Sequence, residues 1–144
     1  VPDSAGSDQG TPLEQALERV GDRWSLLVVD ALLDGAGRFN ELQQRVTGIA
    51  PNILTDRLRR LEREGVLLSR PYSERPPRVE YELTAAGREL AGALRLLADW
   101  GGRRSDNAEP MRHGLCGTPL EARWYCPTCT VIVDDPALQE ARLV

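Results

Sequence analysis

The chain contains no lysine; all 18 of its basic residues are arginine. We read that bias as codon usage in a GC-rich genome rather than as chemistry. No apolar stretch approaches the roughly 18 residues that cross a bilayer, and the opening VPDSAGSDQG has neither the basic start nor the apolar run of a secretory signal. The expectation is a cytoplasmic protein with no membrane partner. Histidine occurs once, and cysteine is missing until position 116. No nucleophile motif or phosphate-binding glycine loop is present, which argues against an enzyme. What remains is ordinary: 144 residues, 41% hydrophobic and 28% charged, suit one main domain with a small appendage and exclude a wholly disordered chain.

The formal net charge of -4 hides an uneven distribution. Residues 1–37 carry two arginines and seven carboxylates, whereas residues 38–78 carry nine arginines and five carboxylates. A positive block between acidic flanks is a candidate surface for a polyanion.

Residues 1–10 are small and polar and are read as a disordered arm. Thr11, Pro12 and Glu14 have the form of a capping box opening a helix, with Leu13, Ala16, Leu17 and Val20 as its apolar stripe. Asp22 caps a second helix, whose Trp24, Leu27, Val28, Ala31 and Leu32 follow core-facing spacing. In RFNELQQRV, Asn40 is expected to cap a short helix with Gln43 three residues on. TGIA then leads into PNILTDRLRRLERE, giving the outline of a helix-turn-helix.

Laid out at 100° per residue, the helix from Pro51 to Glu64 groups Leu54, Leu58 and Leu61 on one edge. Asn52, Asp56, Arg59 and Arg63 fall opposite, with Thr55 and Arg60 on the flanks. VLLSRPY and RVEYEL then read as a hairpin whose tip is held extended by Pro76 and Pro77 and charged by Arg75 and Arg78. A helix-turn-helix followed by a basic hairpin is a winged helix. Thr84 caps a long helix over about 85–100, whose apolar face of Leu90, Leu94, Leu97 and Trp100, widened by Ala93 and Leu96, suggests packing against a second copy alongside the first helix, against the alternative of packing onto the domain's own core.

Over residues 11–101 the chain strongly resembles the HxlR family of bacterial winged-helix regulators, relatives of the MarR type, through GDRWSLL, RFNEL, LTDRLRRLE, PPRVEYELTAAG and ADWG. The resemblance implies a homodimer on a palindromic operator, with the second helix of each helix-turn-helix in the major groove. The family's frequent N-terminal Cys-Pro redox pair is replaced by Thr11-Pro12, which removes thiol switching there, and Ala50 stands where serine is common. Asn52, Ile53, Thr55, Asp56 and Arg59 are the expected base readers, since the first half of a recognition helix lies deepest in the groove. Arg45, Arg60, Arg63, Arg75 and Arg78 are the expected phosphate contacts.

A linker over residues 102–112 leads to HGLCGTPLEARWYCPTC, where His113-x2-Cys116 and Cys126-x2-Cys129 present four soft or borderline donors in two close pairs. This spacing predicts a closed structural Zn2+ site in a ribbon-like module over residues 113–133, followed by a tail over 134–144. Four protein ligands leave no position for a catalytic water. The spacing leaves open iron in place of zinc, and sensing in place of a structural role.

The expected class is α+β, mostly α: a winged helix-turn-helix with dimerisation helices at both ends and a small metal-bound hairpin. The expected function is sequence-specific transcriptional regulation on double-stranded DNA, with repression favoured. The alternative is a protein-interaction adaptor, whose partner face on helix 51–64 would be apolar. A small-molecule effector lined by Trp24, Trp100 or Trp124 is a further expected partner, against the alternative that these tryptophans belong to the core.

Overall fold

The computed structural model describes residues 10–106 and 109–133, so the predicted arm, apart from Gly10, and the predicted tail lie outside the described residues. The chain divides into two compact units between Leu94 and Arg95.

The first unit begins with helix α1 (Pro12–Val20), opened by the expected capping box: Glu14 N–H donates to Thr11 Oγ1 at 3.2 Å, and Thr11 N–H donates to Glu14 at 2.6 Å. Helix α2 (Arg23–Leu33) starts at Asp22, whose carboxylate accepts from the Ser25 backbone. Its buried face is Ser25, Val28, Val29, Ala31 and Leu32, so the helix is rotated from the expected stripe and Leu27 is exposed. Ser25 takes the buried position, its hydroxyl donating to Asp22 Oδ2 at 2.5 Å.

A two-residue strand β1 (Gly37–Arg38) precedes helix α3 (Phe39–Arg45). The predicted cap, Asn40, lies within this helix. Arg38 holds the cap position instead, because Glu41 accepts its backbone N–H at 2.8 Å. The turn from Val46 to Ala50 is pinned by buried Val46 and Ile49, and Gly48 supplies the φ of 83° that a side chain would resist. Helix α4 (Pro51–Arg63) follows, buried along Leu54, Leu58 and Leu61 as its spacing predicts.

Strands β2 (Leu67–Glu74) and β3 (Pro77–Leu83) form the hairpin. Its tip is a tight turn at Arg75-Pro76, with a cis peptide bond, rather than an extended bridge, and the ladder is irregular between Pro71 and Ser73. β1 adds to the free edge of β3, giving an antiparallel sheet in the order β1-β3-β2. Proline at 71, 76 and 77 is tolerated because it falls at the irregularity and the turn.

The predicted long helix is two: α5 (Ala85–Arg88) and α6 (Leu90–Gly102). Thr84 caps α5 by accepting from Gly87 N–H at 3.1 Å and also donates to the carbonyl of Gly65 at 2.6 Å. That side chain anchors α5 to the loop after α4. α6 then leaves Leu96, Leu97 and Trp100 exposed, just as α1 leaves Leu13 and Leu17. In the second unit, β4 (Trp124–Cys126) pairs antiparallel with β5 (Val131–Val133), the small hairpin expected at this place.

Candidate nucleic-acid interface

α4 has two chemically distinct sides. Its leucines sit in the core, while Asn52, Asp56, Arg59 and Arg63 are exposed and Ile53 and Thr55 are half-buried. The Thr55 hydroxyl donates to the Pro51 carbonyl at 2.9 Å, one turn back along the helix. Burial raises the Tyr81 pKa on β3, the charge of Glu62 adds to the rise, and the charge of Arg59 partly offsets it. Glu62 in turn accepts from the Ser69 backbone and hydroxyl, tying α4 to β2. The wing tip exposes Arg75 and Arg78.

Two of the predicted phosphate contacts have other partners. Arg45 donates to the carbonyls of Gly35 at 3.1 Å and Ala36 at 3.4 Å, satisfying the chain just past the end of α2. Arg60 donates to the Glu18 carbonyl and lies 3.7 Å from Asp22. Both guanidinium groups thus satisfy neighbouring backbone carbonyls, Arg45 while exposed and Arg60 while half-buried.

One residue that spacing did not single out has a large part in this arrangement. Arg57 Nε donates to Asp22 Oδ1 at 2.7 Å, across 35 positions of sequence, and its other arm pairs with Asp56. Asp22 thus caps α2 and holds α4 at once. Partial burial opposes its ionisation, but the hydrogen bonds from Ser25 and Arg57 and the guanidinium charge outweigh it and keep its pKa below the ordinary aspartate value. The only sequence signal for this was an arginine at the border of the leucine stripe. Arg38 was likewise unassigned; its guanidinium stacks 4.4 Å from the ring of Tyr72 on the wing.

A solvent-facing Asn, Asp and Arg surface on the second helix of a helix-turn-helix, next to a charged wing, is the geometry of a major-groove reader. The sequence profile of the HxlR-like helix-turn-helix family matches residues 19–109. The chain is a member of that family. An uncharacterized HTH-type transcriptional regulator of Mycobacterium tuberculosis is 37% identical over 133 residues, spanning 90% of this chain and 84% of the relative. Among solved structures, the redox regulator HypR in its reduced form is 34% identical with a TM-score of 0.62, over 67% of this chain and 95% of that one. A transcription factor from Pseudomonas aeruginosa is 31% identical with a TM-score of 0.67, over 92% and 90%. This HxlR-type chain is therefore a helix-turn-helix transcriptional regulator that binds DNA. Among its described residues, no helix is long and apolar enough to cross a membrane.

A match of 133 residues cannot fit within positions 1–109, so the likeness to HxlR-type relatives extends into the C-terminal segment. There the four predicted donors occur as two pairs. His113 Nδ1 lies 3.3 Å from Cys116 Sγ, and Cys126 and Cys129 flank a turn closed by Thr130 N–H on the Cys126 carbonyl at 2.8 Å. No three such donors converge on one point among the described residues. Hydrogen bonding with Thr118, and then with His113, lowers the Cys116 thiol to about 7. Cys126 is lowered through the backbone of Cys129, while the side-chain bond to Cys126 raises Cys129. Of the three tryptophans, Trp24 packs against the core and Trp100 and Trp124 are exposed.

Proposed function

We propose that the protein is a homodimeric repressor that reads a palindromic operator through α4 and clamps the flanking backbone with its wing. The observation that carries this reading is the sidedness of α4, buried on its leucines and polar on its solvent face. An adaptor surface would be apolar there. Asn52 and Arg59 suit adenine and guanine edges; Asp56 accepts from cytosine or orients Arg57, and Ile53 and Thr55 offer methyl groups to thymine. Arg63, Arg75 and Arg78 suit phosphates, with Arg45 and Arg60 giving part of their hydrogen-bonding capacity to the fold.

The exposed leucines of α1 and α6, with Trp100, support self-association, because isolated apolar stripes of this kind are costly in water. The relatives include one regulator, HypR, named for redox and solved in reduced and oxidized forms. Here Thr11-Pro12 puts no thiol at the N-terminal position, so response at that position needs other chemistry. A structural zinc ion bound through His113, Cys116, Cys126 and Cys129 completes the reading, supported by the paired spacing of the donors.

Gel retardation of the intergenic DNA upstream of the protein's own gene tests the proposal. Retardation by a dimer, resisting excess random DNA, is the expected result; binding that random DNA removes equally well would refute sequence-specific regulation.

A further inference from the structure

The two donor pairs sit in loops built on one backbone plan. In the first, His113 and Cys116 are followed by Gly117 at φ 71°, whose N–H donates back to the His113 carbonyl at 2.8 Å. In the second, Cys126 and Cys129 are followed by Thr130 at φ 56°, whose N–H donates back to the Cys126 carbonyl, also at 2.8 Å. Thr130 is the one non-glycine residue at positive φ among the described residues. A β-branched side chain pays a steric cost in that conformation, so the geometry of the loop, rather than local preference, selects it. In both loops the same turn folds the fourth residue back toward the first, and in the first loop it leaves His113 Nδ1 3.3 Å from Cys116 Sγ.

Among the described residues this segment has little apolar burial. Throughout residues 111–133 every side chain is exposed except those of Cys126 and Val133, which are half-buried. Its regular pairing amounts to the three-residue ladder of β4 and β5 and a bridge between Arg112 and Pro119. A two-stranded hairpin of that size is marginal in water, and small domains without a core need a cross-link. The cysteines form no disulfide.

We infer that the two loops are matched halves of a single tetrahedral zinc site within one chain, and that the bound ion takes the place of a hydrophobic core in residues 111–133. This rests on the zinc reading above and adds to it the equivalence of the halves and the role of the ion in folding. One imidazole and three thiolates fill the coordination shell of a borderline-soft divalent ion, and binding releases the thiol protons. Residues 121–123, which carry no regular structure, separate the loops.

The test uses the full chain, freed of metal and reloaded with Co2+ or Zn2+. One equivalent per chain is expected, with the strong visible absorption of tetrahedral Co2+ and a thiolate charge-transfer band. Cys116→Ser and Cys126→Ser should each lose the metal on gel filtration while the helical far-UV signal of the winged helix persists. His113→Cys should keep one equivalent and intensify the charge-transfer band, which separates ligation from simple misfolding. In NMR spectra, the amide signals of residues 111–133 should disperse only with metal. Retention of metal after disruption of either pair alone would overturn the paired site while leaving zinc binding intact, as would half an equivalent per chain. An unchanged spectrum of residues 111–133 on metal removal would overturn the folding role. Failure to retain any ion would overturn the zinc reading and the inference together.

Discussion

The carboxylate of Asp22 joins the first turn of α2 to the middle of the recognition helix: it accepts from Ser25 N–H at 3.1 Å and from Arg57 Nε at 2.7 Å. Its side chain is about one quarter exposed, at 27%, so the pair is less screened than a surface ion pair. Asp22→Asn keeps the cap and loses the ion pair, and should cost about 1 kcal/mol; Asp22→Ala loses both and should cost about 1–3 kcal/mol. Chemical denaturation of each variant measures the difference. Because α4 is held by this contact, both variants should also lose operator affinity.

The same group predicts a pH dependence. The folded pKa of Asp22 is depressed below its ordinary 3.8, so its stabilisation is fully present above that value. It disappears as pH falls through the lower, folded value. Thermal melts of the wild type should therefore lose more stability below about pH 4 than those of Asp22→Asn. Parallel curves for the two proteins would show that Asp22 does not titrate as its contacts imply.

Arg59 and Arg75 should separate sequence reading from anchoring. Arg59→Ala is expected to cost roughly 1–3 kcal/mol on operator DNA and little on random DNA. Arg75→Ala should weaken both alike and reduce the salt slope by about one. Fluorescence anisotropy titrations at several salt concentrations distinguish the two patterns, and equal losses for Arg59→Ala would remove its assignment as a base reader.

Gly87 approaches the loop after α4 so closely that an added Cβ would lie 2.0 Å from the Val66 carbonyl oxygen. That atom belongs to the backbone and accepts from Thr84 N–H, so it cannot simply swing aside. Gly87→Ala should destabilise the fold by about 1–3 kcal/mol, read from urea unfolding. A neutral result would mean that α5 shifts freely.

Leu97 and Trp100 are about half exposed on α6, at 53% and 51%. If they cover a second copy, Leu97→Glu should shift sedimentation toward the monomer and weaken operator binding, with the helical signal retained. An unchanged dimer would place the self-association surface elsewhere.

The features legible in the chain alone are those set by neighbours a few positions apart. The Thr11 and Asp22 caps, the leucine edge of α4 and the turns after His113 and Cys126 all depend on spacings of three or four residues, which recur whatever the rest of the chain does. Even there, competition between neighbours moved one feature: Glu41 closes on Arg38, so Asn40 does not cap α3.

Other features required the chain to return on itself. Arg57 finds Asp22 across 35 residues, Arg45 reaches the end of α2, Arg60 reaches Glu18, and β1 joins β3 at Gly37 and Tyr81. Periodicity specifies that an arginine lies outside the leucine stripe; only the packing of α2 beside α4 selects whether it meets a carboxylate, a carbonyl or water. That is why the face of α4 could be read in advance, while the division of its arginines between holding the helix and facing solvent could not.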